Sequence, residues 1–336
     1  MKKLSLFDKL VAFVNTILAT VLLISFSSHF ISPNSISFIS VLSLSVPILI
    51  LLNIVCIIYW IFKFKRQFLI STIVLLIGFQ YLTIFYNFNE KKVLLTNDVK
   101  VMSYNVRMFN LYNWIEGENV AQKIVDFIEL KDPDILSLQE FHTSKKVTLK
   151  FPYKYEKITN ATNHSGQVIY SKFKIVNSGS LNFSNSTNNA IFIDILKNKD
   201  TLRVYNVHLE SLRINPKEEE LTQENSEKLR IRLEKGFKIQ ANQASLILRH
   251  QEKIKYKSII CGDFNNTAFS WVYKKLKKDK NDAFEEAGSG FGKTYDFTFP
   301  LRIDFILTDE KIEVNNFKTY TLKLSDHYPI MARLNF

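Results

Sequence analysis

Three long apolar segments near the amino terminus constrain the fold of this chain more than any other feature of its sequence. They run from about residue 10 to 26, from about 36 to 62 and from about 68 to 85. A helix needs about 20 apolar residues to cross a bilayer, and each segment approaches or exceeds that length. Pro47 lies inside the second segment, where a membrane helix tolerates it. The sequence therefore predicts that residues 1–96 form a membrane anchor with three transmembrane helices.

The charges around these segments predict their orientation, because positive residues are retained on the cytoplasmic side of a membrane. The connection from Ser27 to Ser35 has no lysine or arginine, whereas basic residues precede the first segment and separate the second from the third. Three crossings from a cytoplasmic amino terminus would put the rest of the chain outside. We therefore expect a multi-pass protein of the cytoplasmic (inner) membrane, with residues 97–336 on the extracytoplasmic side. The basic residues are Lys2, Lys3, Lys9, Lys63, Lys65 and Arg66.

Two other interpretations of the apolar segments stay open at this point. The first segment could be a cleaved signal peptide, because Ser25 and Ser27 loosely resemble a small-residue cleavage site. The two later segments would still anchor the chain in that case. The segments could also belong to a transporter, but transport paths usually carry ionisable residues. Only His29, near a segment end, is available here, which favours an anchor.

Residues 97–336 have the composition of a soluble α/β domain. Half of the formal net charge of +12 lies in residues 1–96, so the remainder is only modestly basic. Such a surface attracts nucleic acids and anionic lipid headgroups alike, and it does not distinguish between them. Cys56 lies in an apolar segment and Cys261 in a strand-like run, so we expect no disulfide between them. About 240 residues are enough to build a core without one.

Short apolar runs in residues 97–336 are typical of buried strands. Helical spacing occurs at 120–130, which Pro133 follows, and in the charge-rich stretch 217–253. The order shows no regular alternation of strand and helix and no glycine-rich phosphate loop. It predicts two sheets packed face to face and flanked by helices. The runs lie at 99–104, 135–138, 166–170, 190–196, 202–207, 258–261, 303–307 and 330–334.

Polar side chains stand at the ends of several of these runs. Strand ends project side chains to one rim of a sheet, where ligands usually bind. Carboxylates, amides and imidazoles without a cysteine suit a hard divalent cation and a phosphate ester. Each of these residues alone would more often be a surface or turn residue. Asp304 is different, because its apolar neighbours Ile303 and Phe305 indicate a buried carboxylate that needs a partner.

Six short motifs contain these polar residues and follow one another over about residues 98–336. They are Met102–Arg107, Asp132–Glu140, Tyr205–Glu210, Cys261–Asn265, Arg302–Leu307 and Leu324–Ile330. Each motif alone is common, but six in this order are not expected by chance. In this order they resemble the endonuclease/exonuclease/phosphatase superfamily.

The resemblance implies an α+β fold, a four-layered α/β sandwich of two packed mixed β-sheets flanked by helices. In this chain the sandwich would be preceded by three transmembrane helices. The resemblance also implies magnesium-dependent hydrolysis of a phosphate ester, with Mn²⁺ as a possible substitute for Mg²⁺. Glu140 would be the principal metal carboxylate, Asn105 would lie close to the ion and the phosphate, and Asp326 would be a second metal ligand.

The same resemblance implies the catalytic residues. Asp263 would orient or deprotonate the attacking water, and Asn265 would hold a phosphate oxygen. His327 would contact the scissile phosphate, while Asp304 would fix its ring and raise its pKa. His208 matches a second active-site histidine of the deoxyribonuclease-like and sphingomyelinase-like branches.

Two departures from the family pattern bear on the site. Arg107 stands where some abasic-site endonucleases carry an acidic residue, which favours a single-metal arrangement. Arg107 would then be available for phosphate contact, together with Asn105 and Asn265. Phe305 replaces the more usual tyrosine at a packing position. The stretch from Gly288 to Tyr295 is either a loop at the active-site rim or a plain connector.

The leading hypothesis is a membrane-anchored, magnesium-dependent phosphoesterase that hydrolyses a phosphodiester in the manner of a nuclease. A phospholipid or sphingomyelin headgroup phosphodiesterase and an inositol-phosphate phosphatase are alternatives. A non-catalytic membrane binding module is more remote, because the motif residues are intact. The expected partners are a phosphate-ester substrate, either nucleic acid or phospholipid headgroup, and the bilayer. The sequence indicates no obligate protein partner and does not identify the substrate.

Overall fold

Two six-stranded sheets and a group of apolar helices account for most of the chain. The structure is a computed structural model that describes residues 4–143, 147–160, 164–214 and 223–336. The helices over these residues are α1 (Leu6–Phe26), α2 (Ser37–Leu42), α3 (Val46–Phe62), α4 (Phe68–Ile77), α5 (Phe79–Phe85), α6 (Val120–Lys131), α7 (Gln223–Gln251), α8 (Trp271–Lys277) and α9 (Ala283–Ala287). The strands are β1 (Val99–Asn105), β2 (Ile135–His142), β3 (Tyr153–Asn160), β4 (Ser165–Ser171), β5 (Lys174–Ser180), β6 (Asn189–Lys197), β7 (Asp200–His208), β8 (Ser258–Asp263), β9 (Lys280–Asp282), β10 (Asp304–Asp309), β11 (Glu313–Thr319) and β12 (Ile330–Asn335).

The described residues divide into two compact units. The helical unit comprises the described parts of Met1–Tyr86, Ile214–Ala241 and Ala268–Lys274. The sandwich unit comprises the described parts of Asn87–Arg213, Asn242–Thr267 and Lys275–Phe336.

The sandwich unit contains both sheets, and each mixes parallel and antiparallel pairs. The first has the strand order β11-β12-β1-β2-β4-β3, with β1 parallel to β2. The second has the order β5-β6-β7-β8-β10-β9, with β7 parallel to β8. One apolar core joins them, because it contains side chains such as Val101 and Ile169 of the first sheet and Ile193 and Ile259 of the second. Two packed mixed sheets are what the sequence predicts.

Helices cover the outer faces of the two sheets. On the first sheet, Val120, Ile124 and Ile128 of α6 belong to a second apolar cluster with β1, β2 and β4. This helix ends at Lys131, because Pro133 cannot continue it. On the second sheet, the Tyr205 hydroxyl lies 2.9 Å from Nδ1 of His250 in the last turn of α7. The layers therefore run helix, sheet, sheet, helix.

Strands β3, β5, β9 and β11 have no counterpart among the apolar runs found in the sequence. All four lie at sheet edges, and β5 shows why such strands escape notice, since its residues are exposed or half-buried throughout. An edge strand with water on both sides needs no apolar run. The predicted helix 217–253 corresponds to α7, and residues 217–222 lie outside the described residues.

The helical unit differs in detail from three uninterrupted spans. Within the described residues, one helix is long and apolar enough by itself to cross a membrane, the 24 residues Leu6–His29. The second predicted segment divides into α2 and α3. Pro47 lies in the first turn of α3, a position that proline favours over a helix interior. The third bends by 78° between α4 and α5 at Gly78. A Cβ at Gly78 would lie 2.2 Å from the Phe26 ring, so any other residue there would require Phe26 to shift.

Buried polar side chains link three of these helices. The amide nitrogen of Asn15 in α1 donates to Oγ of Ser71 in α4, at 2.9 Å. The Ser71 hydroxyl donates to Oδ1 of Asn53 in α3, at 2.7 Å, and Nε1 of Trp60 donates to Oδ1 of Asn15, at 3.0 Å. All four residues are fully buried. Hydrogen bonds of this kind join helices in an apolar surrounding, where water cannot replace them.

Two further sets of contacts join parts of the helical unit that are distant in sequence. In the first, Oδ1 of Asp8 accepts from the Tyr59 hydroxyl at 2.7 Å and lies 3.3 Å from Nζ of Lys63. The start of α1 therefore lies beside the end of α3. Elsewhere in the unit, the residues that follow α1 meet 268–274, since Oγ of Ser28 donates to the carbonyl of Phe269 at 3.1 Å.

Candidate active site

The register of the sandwich unit brings the predicted site residues to one rim. Asp263, the last residue of β8, is the register partner of His208 at the end of β7 and of Asp304 at the start of β10. In the first sheet, Asn105 ends β1 beside Gln139, and Glu140 comes next in β2. Strand ends of both sheets thus contribute polar groups to a single cluster.

Asp263 lies at the centre of the cluster. Its Oδ2 accepts a hydrogen bond from Nδ2 of Asn105 at 3.0 Å, and Nε2 of His208 and of His327 each lie 3.6 Å from the same oxygen. Burial, with the nearby charge of Asp304, raises the pKa of Asp263 to about 6. Burial lowers the pKa of His208, so this imidazole is neutral at pH 7.

His327 forms a buried pair with Asp304. Its Nδ1 lies 3.1 Å and 3.0 Å from the two carboxylate oxygens of Asp304. Burial opposes the charged imidazole, but the carboxylates of Asp304 and Asp263 outweigh it and raise the pKa of His327 well above its ordinary value. Oγ1 of Thr294 accepts from the backbone N–H of Asp304 at 3.1 Å and fixes the start of β10. The pair presents a protonated Nε2 to Asp263.

Glu140 reaches the site through an irregularity in β2. The pairing of β2 with β4 shifts between Leu138 and Phe141, and Glu140 has a φ of 48°, a left-handed conformation that is unusual for its residue type. Its Oε1 accepts from Nδ2 of Asn105 at 3.2 Å. Burial and the charge of Asp326 raise the pKa of Glu140. The Asn105 amide therefore bridges Glu140 and Asp263, which come from different sheets.

Asp326 and Arg107 form the other side of the cluster. Nη1 of Arg107 lies 3.2 Å from Oδ2 of Asp326, and the guanidinium lies 4.5 Å from the ring centroid of Trp114. Arg107 begins a run of four left-handed residues that ends at Asn110. Oγ of Ser325 donates to the carbonyl of Asn105 at 2.8 Å and ties the last motif to the first.

Asn265 lies beside Asp263 in a tight turn. Its backbone N–H donates to Oδ1 of Asp263 at 2.7 Å, and its side-chain Nδ2 donates to the carbonyl of Leu209 at 3.0 Å. Gly262 makes the approach to β7 possible, because its φ is 137° and a Cβ would lie 1.9 Å from the Val207 carbonyl oxygen. The structure thus brings together all of the site residues predicted from sequence.

The charges of the cluster fit one divalent cation. Two cationic groups, Arg107 and protonated His327, face four acidic side chains, which leaves two negative charges in excess. Ligand atoms of Asp263, Asp304 and His327 lie within 4.8 Å of one another, so these three could also hold an ion, with release of the proton of His327. The carboxylate oxygens of Glu140 and Asp326 are the harder donors and suit magnesium better, whereas Oδ1 of Asn105 accepts from the backbone N–H of Arg107 at 3.1 Å. The acidic residues are Glu140, Asp263, Asp304 and Asp326.

Sequence reasoning missed several residues that support the site. The ring of Tyr295 meets the ring of His327 edge-on, with centroids 5.0 Å apart. The buried side-chain amides of Gln139, Gln167 and Asn206 join the sheets beneath the rim. Nε2 of Gln139 donates to Oδ1 of Asn206 at 2.7 Å, and Nε2 of Gln167 donates to the Asn206 carbonyl at 3.0 Å. Asn206 could have been identified from the sequence, because it is a polar residue inside an apolar strand.

Known structures resemble this chain in fold. The human Nocturnin catalytic domain with bound sulfate is 18% identical with a TM-score of 0.54, covering 74% of this chain and 97% of that one. An endonuclease/exonuclease/phosphatase from Bacteroides vulgatus is 18% identical with a TM-score of 0.56, covering 72% and 100%. A mannosyl-6-phosphatase from Bacteroides thetaiotaomicron is 17% identical with a TM-score of 0.52, covering 71% and 100%. No curated protein matches the chain.

Two family models match different parts of the chain. One, described as a domain of unknown function (DUF8431), matches residues 8–85. The other, the Endonuclease/Exonuclease/phosphatase family, matches residues 102–327 and so covers every predicted site residue, from Asn105 to His327. The chain therefore belongs to the endonuclease/exonuclease/phosphatase family, whose members are in general phosphoric ester hydrolases.

Proposed function

We propose that this protein is a membrane-anchored phosphodiesterase that depends on a divalent metal, in the first instance Mg²⁺. The observation that carries the proposal is the position of the Asn105 amide, which bonds to Asp263 at 3.0 Å and to Glu140 at 3.2 Å. This amide joins Asp263, which is suited to accept a proton, to Glu140, which is suited to hold a metal. The intact His327–Asp304 pair argues against a non-catalytic binding module.

The proposed reaction forms a bond from a water oxygen to phosphorus and breaks one ester P–O bond. Asp263, ionised above a pKa of about 6, accepts the proton of the attacking water. The leaving oxygen takes a proton from the imidazolium of His327. Arg107 and Asn265 contact phosphate oxygens. Glu140 and Asp326, with Asn105 beside them, would hold a magnesium ion, which would supply positive charge to neutralise the phosphate when bound.

A site with this composition suits phosphate esters in general. The Nocturnin structure carries a bound sulfate, a tetrahedral anion like phosphate, and the Bacteroides thetaiotaomicron neighbour is named a mannosyl-6-phosphatase. These names support a phosphate-ester substrate without choosing between a nuclease, a lipid headgroup phosphodiesterase and a phosphatase.

The anchor in this proposal is residues 1–96, crossing the inner membrane three times, with residues 97–336 as the catalytic domain outside. The contact between Asp8 and Lys63, at 3.3 Å, supports it, because the amino terminus and the basic connection after α3 then lie on the same side. The separate family match to residues 8–85 supports an anchor distinct from the catalytic motifs.

The test uses the full chain in detergent micelles with bis(p-nitrophenyl) phosphate as a generic diester. Hydrolysis should require Mg²⁺ or Mn²⁺ and should be lost in His327→Ala. His164→Ala, which changes a histidine outside the cluster, is the matched control and should keep its rate. Equal rates for both variants, or full activity in excess EDTA, would contradict the proposal.

A further inference from the structure

The chain that leaves the last apolar helix is fastened to the loop that leads into the active site. Asn87 lies two residues after Phe85, which ends α5. Asn87 and Gly290 exchange both backbone hydrogen bonds, each 2.9 Å long. The Asn87 side chain also donates to the carbonyls of Phe284 and Glu285, at 2.7 Å and 2.9 Å. Two residues span at most about 7 Å, so the chain keeps Asn87 within that distance of the end of α5.

The residues after Asn87 are bound along their length to the sandwich unit. The N–H of Lys91 donates to the carbonyl of Ala287 at 3.2 Å, and Nδ2 of Asn316 donates to the carbonyl of Lys91 at 2.7 Å. The N–H of Val93 donates to the carbonyl of Asn315 at 3.3 Å. Residues 87–93 are therefore bonded to the sandwich unit along their length and do not form a glycine- and serine-rich linker.

The loop that Asn87 holds reaches the catalytic pair within a few residues. Gly290 and Gly292 adopt left-handed conformations, with φ of 74° and 60°. Thr294 then accepts from the N–H groups of Ile303 and Asp304, and Tyr295 meets the His327 ring. Asn87 and the rim of the active site are thus bonded to the same short loop.

Two large aromatic side chains stand exposed at this attachment. Phe88 follows Asn87 and is 85% exposed, and Phe291 follows Gly290 and is 41% exposed. Lys91, Lys92 and Lys293 lie nearby in the sequence. Exposed phenylalanines with lysines two to four residues further along the chain suit the boundary between lipid headgroups and acyl chains.

We propose that Phe88 and Phe291 contact the bilayer surface, so that the active-site rim lies at the headgroup layer and the substrate is a phosphate ester carried on a membrane lipid. The inference rests on the proposed anchor and phosphodiesterase function. In this arrangement the phosphorus of a lipid headgroup lies in the same layer as the active-site rim. A nucleic acid would have to approach an anionic membrane surface, which repels it.

The first experiment locates the side chain at position 291 without using activity. Full-length Cys56→Ser protein with Phe291→Cys is labelled with an environment-sensitive fluorophore in vesicles of phosphatidylethanolamine and phosphatidylglycerol. Leu130→Cys, at a residue of α6 that is 77% exposed, is the matched control. We expect headgroup-proximal brominated lipid to quench the label at residue 291 and aqueous iodide to quench the label at residue 130. Equal quenching by iodide at both positions would overturn the membrane contact.

The second experiment tests the substrate class in the same vesicles. Phe88→Ser with Phe291→Ser should slow hydrolysis of vesicle phospholipid by about tenfold, since two apolar contacts are lost, and should keep the rate on bis(p-nitrophenyl) phosphate. Leu130→Ser should change neither rate. Hydrolysis of the soluble diester or of an oligonucleotide without hydrolysis of phospholipid would overturn the lipid assignment and leave the proposed function standing. If the protein with metal hydrolysed none of these substrates, both the proposed function and the substrate class would be rejected. The fluorescence result would still decide the membrane contact.

Discussion

His327 and Asp304 are joined by a buried contact in which Nδ1 of the imidazole lies 3.0 Å from Oδ2 of the carboxylate. Both side chains are almost completely buried, at 6% and 2% exposure. Because Nδ1 faces a carboxylate, it carries a proton, and Nε2 is left to face Asp263. One contact thus sets both the orientation of the ring and its charge.

Asp304→Asn should slow turnover by about 10²–10⁴-fold, because the amide neither stabilises the imidazolium nor fixes its tautomer. The measurement is kcat on bis(p-nitrophenyl) phosphate at saturating Mg²⁺. The pH at which activity falls on the alkaline side should also decrease, since the pKa of His327 drops without the Asp304 charge. Asp200→Asn, an exposed carboxylate in the β6–β7 hairpin, is the control. An unchanged alkaline limb in Asp304→Asn would contradict the role of the pair.

The acid side of the pH profile should report Asp263. Burial raises its pKa to about 6, so the carboxylate is ionised above that pH and loses its charge as the pH falls through it. We expect kcat/KM to decrease with decreasing pH below about 6, and Asp263→Asn to be nearly inactive at every pH. These measurements cover about one pH unit on either side of the pKa, at saturating metal. If kcat/KM were constant from pH 5 to pH 7, Asp263 would be excluded as the proton acceptor.

Glu140→Gln should weaken metal binding before it affects anything else, because a hard carboxylate ligand is replaced by a neutral amide. Titration calorimetry with Mn²⁺ on the full chain in detergent should show an affinity lower by at least about tenfold, the scale of losing a supporting ligand. Glu156→Gln, on β3 and outside the cluster, is the matched control. Identical Mn²⁺ affinities for both variants would place the metal elsewhere.

A buried ion pair far from the cluster should control stability. Arg203 donates from Nε and Nη2 to the two carboxylate oxygens of Asp194, at 2.6 Å and 2.7 Å. Arg203→Met should cost about 3–5 kcal/mol, because it leaves a buried carboxylate without its cation. The measurement is thermal unfolding of the full chain followed by circular dichroism. Lys154→Met, which removes one partner of an exposed pair, should change the transition little.

The same pair gives a pH dependence of stability with a definite sign. Burial raises the pKa of Asp194, but its hydrogen bonds to Arg203, Tyr256 and Asn177 outweigh burial, and the net pKa is lowered. A lowered carboxyl pKa stabilises the fold above the unfolded value of about 4, and the contribution is lost as pH falls through the folded value. Arg203→Met should therefore unfold at nearly the same temperature as the native chain in strong acid and at a lower temperature near pH 7.

The proposed topology can be tested with fusions after Phe336. An alkaline phosphatase reporter should be active there, and a fluorescent protein that folds only in the cytoplasm should stay dark. Neutral residues at 63, 65 and 66 should weaken this preference, because the basic connection that is retained inside would be lost. The opposite reporter pattern in the unaltered chain would put residues 97–336 in the cytoplasm.

Strand periodicity explains why much of the site could be predicted from the sequence. An apolar run that stops at a polar residue marks a strand end, and this reasoning found Asn105, His208, Asp263 and Asp304. It could not find Glu140's left-handed backbone or the shift of register beside it, because pairing of β2 with β4 decides both. Nor could it find Tyr295 on His327, since that contact joins a loop to a distant turn.

The sequence by itself determined the two sheets, the order of the motifs and the apolar character of residues 1–96, since these depend on local hydrophobic pattern. Tertiary structure decided how the apolar segments break, because a Cβ at Gly78 would strike Phe26, a residue from another helix. It also decided that Asn87 is bonded to Gly290, a pairing between residues far apart in the chain that no local pattern encodes. Local pattern specifies which residues are buried, whereas contacts between distant residues fix where the buried and polar groups meet.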